Sequence, residues 1–425
     1  MSPHPIRPSS PYRRFLGAPE SGIRRRLLSA LVSVLVLGSS VAAVVGLTGA
    51  GSAPRTPDDG IRAQPPVSGS AAPASAGARD RDLGFGLSFG DTLMWMTDGE
   101  LSRAMEDARE LGVRRLRVDL SWRNIQPDSP DQYLWGRFDR VVDAALAHRL
   151  DLVPTLSYTP RWAAAADCTS TSQTCPPADN ARFAEFARQA AERYAAKGVH
   201  TWEIWNEPNI KPFWQTGPDA ERYAALLTAT APAMRSADPD AYLLLGGLAA
   251  VDTIPSRQYV SHKTFLAELG RRGALRQVDA VSYHPYTYPL LPSAETVTGT
   301  RFEDIDRTPE SLVSILKRYD EPSMPIWLTE TGAPTWSQGK AADSEEARGT
   351  DHVTPRLQAE IAADTVAASA AIPSVEVMFW FAYRDSEPQS PTSRKSRHYG
   401  LLYEDGRRKP SFEALESAIR AYEER

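Results

Sequence analysis

The sequence predicts an α/β fold of the (β/α)8 class, a TIM barrel, and three observations lead to this prediction. From about residue 82 onward, short apolar segments alternate with longer segments of helical periodicity. Such alternation is typical of parallel strands joined by helices. Eight such pairs fit into about 340 residues, the size of a barrel with inserted loops. A doubly wound sheet is the alternative, but no glycine-rich turn follows the first strand.

The predicted elements follow one another along the chain, each strand bounded by Gly, Pro or polar residues. The first four strands and their helices are Leu83–Phe89, Gly99–Leu111, Val113–Asp119, Gly136–Arg149, Leu150–Leu156, Asp179–Lys197, Val199–Trp205 and Asp219–Ser236. The remaining elements are Ala241–Gly246, Ser261–Arg272, Val278–Tyr283, a helix from Thr308, Ile326–Thr329, Pro355–Ala371, Val375–Phe381 and Pro410–Glu423. Thr308 is expected to cap its helix because Pro309 follows at the favoured first position.

Three segments precede the predicted barrel, which covers residues 82–425. Residues 1–26 form a basic tail with six arginines, and residues 27–49 form an uncharged apolar segment. That segment is long enough to anchor the chain in a membrane with a cytoplasmic N-terminus; a cleaved signal peptide is the alternative. Residues 50–81, rich in Pro, Gly, Ser and Ala, are expected to be a disordered linker. The barrel is therefore expected to be extracytoplasmic, either membrane-anchored or secreted.

Charge and cysteine usage exclude several classes of function. The net charge of −5 at pH 7 provides no basic surface for nucleic acid. Cys168 and Cys175 are seven positions apart with no nearby His pair, so a zinc site is not expected. Both cysteines lie in one loop of an exported chain, and we expect a disulfide between them. No cofactor or metal is predicted, and the barrel is expected to be monomeric.

Two glutamates end predicted strands and are the candidate catalytic residues. Glu207 follows the fourth strand, just before Pro208, which cannot continue a ladder. Glu330 ends the otherwise apolar seventh strand, which Gly332 interrupts. The C-terminal ends of barrel strands share one rim, so both carboxyls are expected there. Glycoside cleavage requires such a pair: one carboxyl protonates the leaving oxygen, and the other attacks the anomeric carbon or activates water.

The runs around these glutamates, Ile204-Trp-Asn-Glu-Pro-Asn-Ile-Lys-Pro-Phe-Trp214 and Pro325-Ile-Trp-Leu-Thr-Glu-Thr-Gly332, resemble the catalytic strands of clan A glycoside hydrolases. The first run is most similar to glycoside hydrolase family 39, and the N-terminal segments fit its exopolysaccharide-hydrolase branch. The resemblance implies that Glu207 is the acid/base and Glu330 the nucleophile of a retaining β-glycosidase. It implies a cell-surface or extracellular polysaccharide, or an oligosaccharide, as the substrate, with endo action.

Strand 2 has an unusual charged face. Arg115, Arg117 and Asp119 alternate with apolar residues, although parallel barrel strands are normally apolar on both faces. The interior of a barrel is layered from alternate strands, so strand 2 meets strand 4 there. We therefore expect Arg117 to lie near Glu203 or near the catalytic carboxylates.

The remaining candidates are expected to bind the substrate. The resemblance implies that Asn206 binds the sugar 2-hydroxyl, and that His284 and Tyr286 contact the substrate or the nucleophile. Aromatic rings suit the apolar faces of sugars, and the resemblance places Trp380 under the cleaved sugar. The full set of expected substrate-binding residues is Asn206, Arg117, His284, Tyr286, Trp380, Trp214 and Trp162.

Two other functions remain open at this point. One is an exo-acting β-xylosidase or β-glucosidase, since the sequence does not distinguish a closed pocket from an open groove. The other is a non-catalytic carbohydrate-binding barrel. The presence of both Glu207 and Glu330 argues against the binding barrel, because loss of one glutamate would be its signature.

Overall fold

A computed structural model describes residues 82–425, apart from 169–171, 297–298, 337–340, 344–351 and 391–393. The basic tail, the apolar segment 27–49 and the linker 50–81 lie outside the described residues. Within the described part of the chain, no helix is both long enough and apolar enough to cross a membrane.

Eight parallel strands pair in chain order, and the last pairs with the first, so the sheet closes into a barrel. The strands are β1 Gly84–Gly90, β2 Arg115–Ser121, β3 Asp151–Ser157, β4 Thr201–Asn206, β5 Tyr242–Ala249, β6 Ala280–His284, β7 Ile326–Thr331 and β8 Val375–Phe381. The predicted (β/α)8 class is confirmed for the described residues.

Helices connect the strands and pack on the outside of the barrel. The α-helices are Asp98–Glu110, Trp122–Ile125, Gly136–Ala147, Asn180–Tyr194, Ala220–Ala237, His262–Arg271, Glu303–Asp306, Leu312–Arg318, Pro355–Ala370 and Pro410–Glu423. Side chains cap several of their N-termini. Thr97 and Glu100 form a reciprocal capping box, and Asp219 accepts hydrogen bonds from two backbone amides.

The helix expected to begin at Thr308 begins later. Ser311 caps it by accepting a hydrogen bond from the backbone N–H of Ser314, and the helix starts at Leu312. The backbone N–H of Thr308 donates instead to the carbonyl of Glu303, the first residue of a preceding short helix. The Thr-Pro pair therefore belongs to a turn, because the favoured N-cap chemistry recurs three residues later in Ser311.

The two faces of each strand serve two different layers. Leu116, Val118 and Leu120 of β2 pack in the main core between the sheet and the helices. A smaller apolar layer fills the barrel interior near the N-terminal ends of the strands; its members are Val153, Leu244, Ala280, Trp327, Val377 and Phe379. The interior above this layer holds polar side chains, and the candidate site lies there.

Candidate active site

The end of β4 has an irregular backbone that turns its polar residues inward. Glu203 and Asn206 both accept hydrogen bonds from Arg117, although a regular strand points residues three apart to opposite faces. Between and after them, Trp205 has φ 76° and Glu207 has φ 45°. Such left-handed values cost about 1–3 kcal/mol for residues with a side chain, and they persist at functional sites. The strained turn brings Asn206 and Glu207 to the barrel axis.

Two glycines of β5 make room for this turn and for the site. A Cβ on Gly246 would lie 2.8 Å from the carbonyl oxygen of Trp205. A Cβ on Gly247 would overlap the imidazole ring of His284. Larger residues at either position would displace the backbone of β4 or the imidazole, so the site requires glycine at both.

Arg117 lies at the centre of the site and is fully buried. Its guanidinium donates to Oε2 of Glu203 at 2.6 Å, to Oε1 of Glu330 at 2.6 Å and to Oδ1 of Asn206 at 2.7 Å. A buried guanidinium is tolerated only when such partners replace water. The structure thus brings Arg117 to Glu203 and to a candidate catalytic carboxylate, in the position that the strand pattern indicates.

Glu207 and Glu330 face each other on the rim. One carboxylate oxygen of each lies within 4.8 Å of the other, together with a nitrogen of His284. His284 Nδ1 is 2.9 Å from Oε1 of Glu207 and 3.7 Å from Oε2 of Glu330. The hydroxyl of Tyr286 donates to Oε2 of Glu330 at 2.7 Å. Retaining glycosidases hold their carboxyls about 5–5.5 Å apart and inverting ones about 6.5–9.5 Å, so this spacing fits a retaining pair.

A chain of hydrogen bonds extends from His284 back to the buried ion pair. His284 Nε2 is 3.0 Å from the hydroxyl of Thr329, and that hydroxyl donates to Oε1 of Glu203 at 3.0 Å. Because Glu203 is ion-paired with Arg117, it is the stronger acceptor for the single hydroxyl proton. The oxygen of Thr329 then accepts from Nε2–H, and Nδ1 of a neutral His284 is left as an acceptor facing Glu207.

The surroundings of the two glutamates suit different chemical roles. Burial raises the pKa of Glu207; its hydrogen bond with His284 opposes this rise, and the charge of Glu330 adds to it. Burial also raises the pKa of Glu330, but the guanidinium of Arg117 and the hydroxyl of Tyr286 oppose it. Burial lowers the pKa of His284, which keeps its imidazole neutral. Two donors, Arg117 and Tyr286, hold the carboxylate of Glu330 and suit it to the role of nucleophile, whereas Glu207 has only His284 beside it and suits the role of proton donor.

Glu207, His284 and Glu330 are also close enough together to be considered as ligands of a metal ion. Three of their polar atoms are, however, already hydrogen-bonded to Arg117, Tyr286 or Thr329. The guanidinium bound to Glu330 also offsets the negative charge that would attract a cation. The arrangement is better suited to acid/base chemistry than to holding a metal.

Comparison with known proteins agrees with this geometry. A family model described as "Cellulase (glycosyl hydrolase family 5)" matches residues 80–361, which is more than half of the chain. The chain belongs to glycosyl hydrolase family 5. This family lies in clan A, so the predicted clan is confirmed, and the chain is a glycoside hydrolase of that clan.

A curated relative of this family 5 chain is a β-xylosidase. A β-xylosidase of Geobacillus stearothermophilus is 28% identical over 214 residues, which cover 47% of this chain and 40% of that enzyme. The chain thus spans less than half the length of this curated relative. This similarity is one of sequence, and β-xylosidase activity is stated here for the relative only.

Solved structures share the barrel fold at low identity. A family 39 glycoside hydrolase of Bacteroides cellulosilyticus WH2 has a TM-score of 0.60 at 21% identity, covering 80% of this chain and 64% of that chain. A GH5_18 enzyme of Streptomyces cattleya in complex with Manβ1-4GlcNAc has a TM-score of 0.60 at 19% identity, covering 80% and 81%. The family 39 likeness found in the motifs therefore extends to the fold, while the family model assigns family 5.

Trp380 does not have the position under the cleaved sugar that was expected of it. It is fully buried and belongs to the core between sheet and helices. Val377 and Phe379 belong to the barrel interior, and alternation along β8 gives Phe381 the same inward face. Phe381 is 9% exposed and borders a cavity on the rim. The aromatic residue of β8 that faces the site is therefore Phe381, because a shift of one residue reverses the face.

The two other tryptophans differ in their surroundings. Trp214 is 1% exposed and packs edge-on against Trp205 and Tyr223. An indole enclosed in this way presents no face to a sugar, so its expected binding role is not supported. Trp162 is partly buried, contacts Trp122 edge-on and donates its indole N–H to a backbone carbonyl. Its remaining exposed surface keeps Trp162 as a candidate at the rim.

The cysteines are joined in the loop after β3. Cys168 and Cys175 form a disulfide, with their Cα atoms 5.8 Å apart. The bridge closes a short segment of the loop on the same side of the barrel as the catalytic residues.

The structure adds residues that sequence reasoning did not identify as site residues. Thr329 is a neutral residue inside β7, and only its place behind His284 gives it a role. Asp119 lies two positions beyond Arg117 on the same strand face, and within the described part of the chain Oδ2 of its carboxyl has no hydrogen-bond partner. Burial raises the pKa of Asp119 well above its usual range, although Arg117 opposes this. The charged face of β2 was the available signal for Asp119; no such signal exists for Thr329.

Proposed function

We propose that this family 5 chain is a retaining β-glycosidase that cleaves a β-linked polysaccharide or oligosaccharide outside the cytoplasm. The observation that carries this proposal is the pair Glu207 and Glu330, whose nearest carboxylate oxygens lie within 4.8 Å on one rim of the barrel. Their spacing and their unequal surroundings supply the two roles that a double-displacement mechanism requires.

The first step forms a glycosyl-enzyme ester. A carboxylate oxygen of Glu330 attacks the anomeric carbon while the bond to the leaving oxygen breaks, and Glu207 gives its proton to that oxygen. Arg117 and Tyr286 hold the two oxygens of Glu330 at 2.6 and 2.7 Å and so fix the attacking carboxylate. Asn206 has its Oδ1 bound by Arg117, while its Nδ2 has no hydrogen-bond partner among the described residues and can donate to a sugar hydroxyl.

The second step hydrolyses the ester. Glu207, now a carboxylate, takes a proton from water as the water oxygen bonds to the anomeric carbon, and the electrons of the ester bond return to Glu330. Two inversions at the same carbon give net retention. Hydrolysis followed by NMR of the first-formed anomer tests this directly: the β-anomer supports the proposal, and an initial α-anomer would overturn it.

The proposed substrate is a cell-surface or extracellular polysaccharide, cut within the chain. An exo-acting β-xylosidase or β-glucosidase is the second candidate, and the β-xylosidase relative favours it. Product sizes from a panel of defined polysaccharides separate the two. Early release of oligosaccharides supports endo action, whereas monosaccharide as the first and sole product supports the exo-acting enzyme.

The proposed location rests on the apolar segment 27–49 and the arginines before it. A segment of this length and composition either anchors the chain or is cleaved on export. Cell fractionation together with sequencing of the mature N-terminus distinguishes these outcomes. An intact N-terminus in the membrane fraction supports the anchor, a start near Ala43 or Ala53 in the medium supports secretion, and a full-length chain in the cytosol would overturn both.

A further inference from the structure

Three tyrosine side chains meet beside the nucleophile. Tyr286 and Tyr288 follow β6, and Tyr399 lies in the long segment that follows β8. Their rings pack edge-on in a closed triangle, with ring centres 5.4 Å apart for Tyr286 and Tyr399, 6.3 Å for Tyr286 and Tyr288, and 6.0 Å for Tyr288 and Tyr399. Edge-on packing at such distances is favourable between aromatic rings. Each ring therefore restricts the orientation of the other two.

A hydrogen bond closes this triangle across the end of β7. The hydroxyls of Tyr288 and Tyr399 are 2.7 Å apart, so one of them donates to the other. In the closed barrel β7 lies between β6 and β8, and Glu330 belongs to β7. The bond therefore joins the segments that lie on both sides of the strand that carries the nucleophile.

The third tyrosine of the triangle, Tyr286, contacts the reaction centre. Its hydroxyl donates to Oε2 of Glu330 at 2.7 Å. Burial raises the pKa of Glu330, and both the guanidinium of Arg117 and the hydroxyl of Tyr286 oppose this rise. A phenol oxygen moves with its ring, and the strength of a hydrogen bond depends on distance and angle. The packing of the Tyr286 ring therefore determines how well its hydroxyl holds the carboxylate.

A buried ion pair anchors the backbone on both sides of Tyr399. Nζ of Lys409 donates to the carbonyl oxygen of His398 at 3.1 Å and to Oδ1 of Asp385 at 2.7 Å. The same Oδ1 accepts the backbone N–H of Gly400 at 2.9 Å. Lys409 and Asp385 are both buried, and separating a buried ion pair is costly. Tyr399 therefore presents its ring from an anchored segment.

The hydroxyls of Tyr286 and Tyr399 do not titrate where the carboxyl of Glu330 does. Burial raises the pKa of Tyr286 well above its usual range, and the charge of Glu330 adds to this rise. Burial likewise raises the pKa of Tyr399, and the neighbouring Tyr288 adds to it. Both hydroxyls keep their protons over the acidic and neutral range, so their hydrogen bonds persist there.

We infer that Tyr399 is a positioning residue for the nucleophile: its hydroxyl bond with Tyr288 fixes the ring of Tyr286, which in turn holds Glu330. The inference rests on the proposed β-glycosidase function, in which Glu330 attacks as a carboxylate, and it deepens that function. Tyr399 acts from the segment after β8, whereas the nucleophile lies on β7.

The acidic limb of kcat/KM against pH measures this role. Glu330 attacks as a carboxylate, so activity is present above its pKa and is lost as pH falls through that pKa. A weaker bond from Tyr286 raises the pKa of Glu330 and moves the limb to higher pH. Tyr286→Phe removes the bond and should move the limb up by about one unit. Tyr399→Phe should move it about half as far and lower kcat about threefold to tenfold.

The partner hydroxyl and a double variant make the test specific. Tyr288→Phe removes the same hydrogen bond from its other end and should give the same shift as Tyr399→Phe. Added to Tyr286→Phe, Tyr399→Phe should cause no further shift, because it acts through a hydroxyl that is already absent. These substitutions leave unchanged the other charged or titratable groups that face Glu330, which are Arg117 and Asp119 on β2, Glu203 on β4, Glu207 after β4, and His284 on β6.

Tyr194→Phe is the matched control. The hydroxyl of Tyr194 donates to Oδ1 of Asp139 at 3.0 Å between two outer helices. Its loss removes a hydrogen bond of the same kind outside the site and should leave the acidic limb where it is in the wild type. An unmoved limb in Tyr399→Phe, or a further shift in the double variant, would overturn the inference.

Titration of Glu330 in the free enzyme gives a second measurement that needs no substrate. Carbon-13 NMR of the labelled carboxyl should show the same upward shift in Tyr399→Phe and Tyr288→Phe, and an unchanged titration would overturn the inference. Failure of the wild type to hydrolyse anything in the polysaccharide panel would instead count against the proposed function, so the two failures are distinguishable.

Discussion

The hydroxyl of Thr329 lies 3.0 Å from Nε2 of His284, and this contact determines which nitrogen of the imidazole carries the proton. Thr329 gives its own proton to the ion-paired Glu203, so it accepts from Nε2–H. Nδ1 then presents a lone pair to Glu207 at 2.9 Å. A donating Nδ1 would lower the pKa of Glu207, whereas an accepting Nδ1 favours the protonated acid that the first step uses.

Thr329→Val should therefore change the pH profile. Without the hydroxyl, His284 is free to place its proton on Nδ1 and to stabilise the Glu207 carboxylate, which lowers the pKa of Glu207. Activity requires protonated Glu207, so it is present below this pKa and lost as pH rises through it. We expect the basic limb of kcat/KM against pH to move about one unit lower. Thr329→Ser keeps the hydroxyl and should keep the wild-type limb; an unmoved limb in Thr329→Val contradicts the tautomer assignment.

Glu330→Gln should abolish turnover while the fold is retained. An amide cannot form the glycosyl ester, and the loss should be at least about 10³-fold in kcat. Initial rates on the best substrate measure it, with circular dichroism as the check on folding. The matched control is Glu310→Gln, an exposed glutamate paired with Arg318 on the outside of the barrel, which should behave as wild type. Near-normal hydrolysis by Glu330→Gln would remove Glu330 from the mechanism.

Glu207→Ala should have an effect that depends on the leaving group. Good leaving groups such as 2,4-dinitrophenolate depart without a proton, so the first step should survive and the glycosyl-enzyme should accumulate. Azide fits the space left by the carboxylate and needs no general base. We expect azide to restore turnover and to yield a β-glycosyl azide, detected by mass spectrometry and NMR. An α-azide, or a rate independent of azide, would argue for different roles.

Alanine substitutions of the two neighbouring aromatic residues of β8 test which of them faces the site. Phe381→Ala removes a ring that borders the site and should reduce kcat/KM by about tenfold or more, with a smaller loss of stability than Trp380→Ala. Trp380→Ala empties a fully buried position and should cost about 3–5 kcal/mol of unfolding free energy. Chemical denaturation and kinetics measured on both variants separate these effects. A larger stability loss in Phe381→Ala than in Trp380→Ala would reverse the assignment.

The disulfide gives a prediction about stability. Closing a loop of this length should contribute about 2–3 kcal/mol, mainly by restricting the unfolded chain. The double variant Cys168→Ser, Cys175→Ser should lose that amount in denaturant unfolding, and reduction of the wild type should have the same effect. Thiol titration of the unreduced, denatured protein should find no free thiol. Two titratable thiols would show that the bridge does not form.

Sequence patterns predicted the barrel and many of the polar residues that converge on its rim. Alternation and helical periodicity identified all eight strands in order, since burial on both faces leaves a strong signal. The charged face of β2 placed Arg117 near Glu203 in advance of any structure. Strand faces were less certain: Trp380 and Phe381 are both aromatic, and composition alone does not show which one points inward.

Other features were not accessible from the sequence because they depend on contacts between distant segments. Thr329 becomes part of the site only through His284 and Glu203, which lie on other strands. The inward turn of Asn206 depends on the left-handed backbone of Trp205. The presence of a tryptophan does not predict this conformation, because bulky residues rarely adopt it. The rim cavity that Phe381 borders is built by loops after two strands that are far apart in the chain.

The left-handed turn at Trp205 and Glu207 has a consequence for attempts to improve this protein by selection. A search for thermostability alone will favour changes near β4 and β5 that let this backbone relax, because relief of its conformational cost raises stability directly. Each such change would withdraw the proton donor from the barrel axis. Libraries screened by heat resistance should therefore collect inactive sequences with changes at Trp205 and Glu207, and useful stabilising changes should come from the outer helices, away from the catalytic residues.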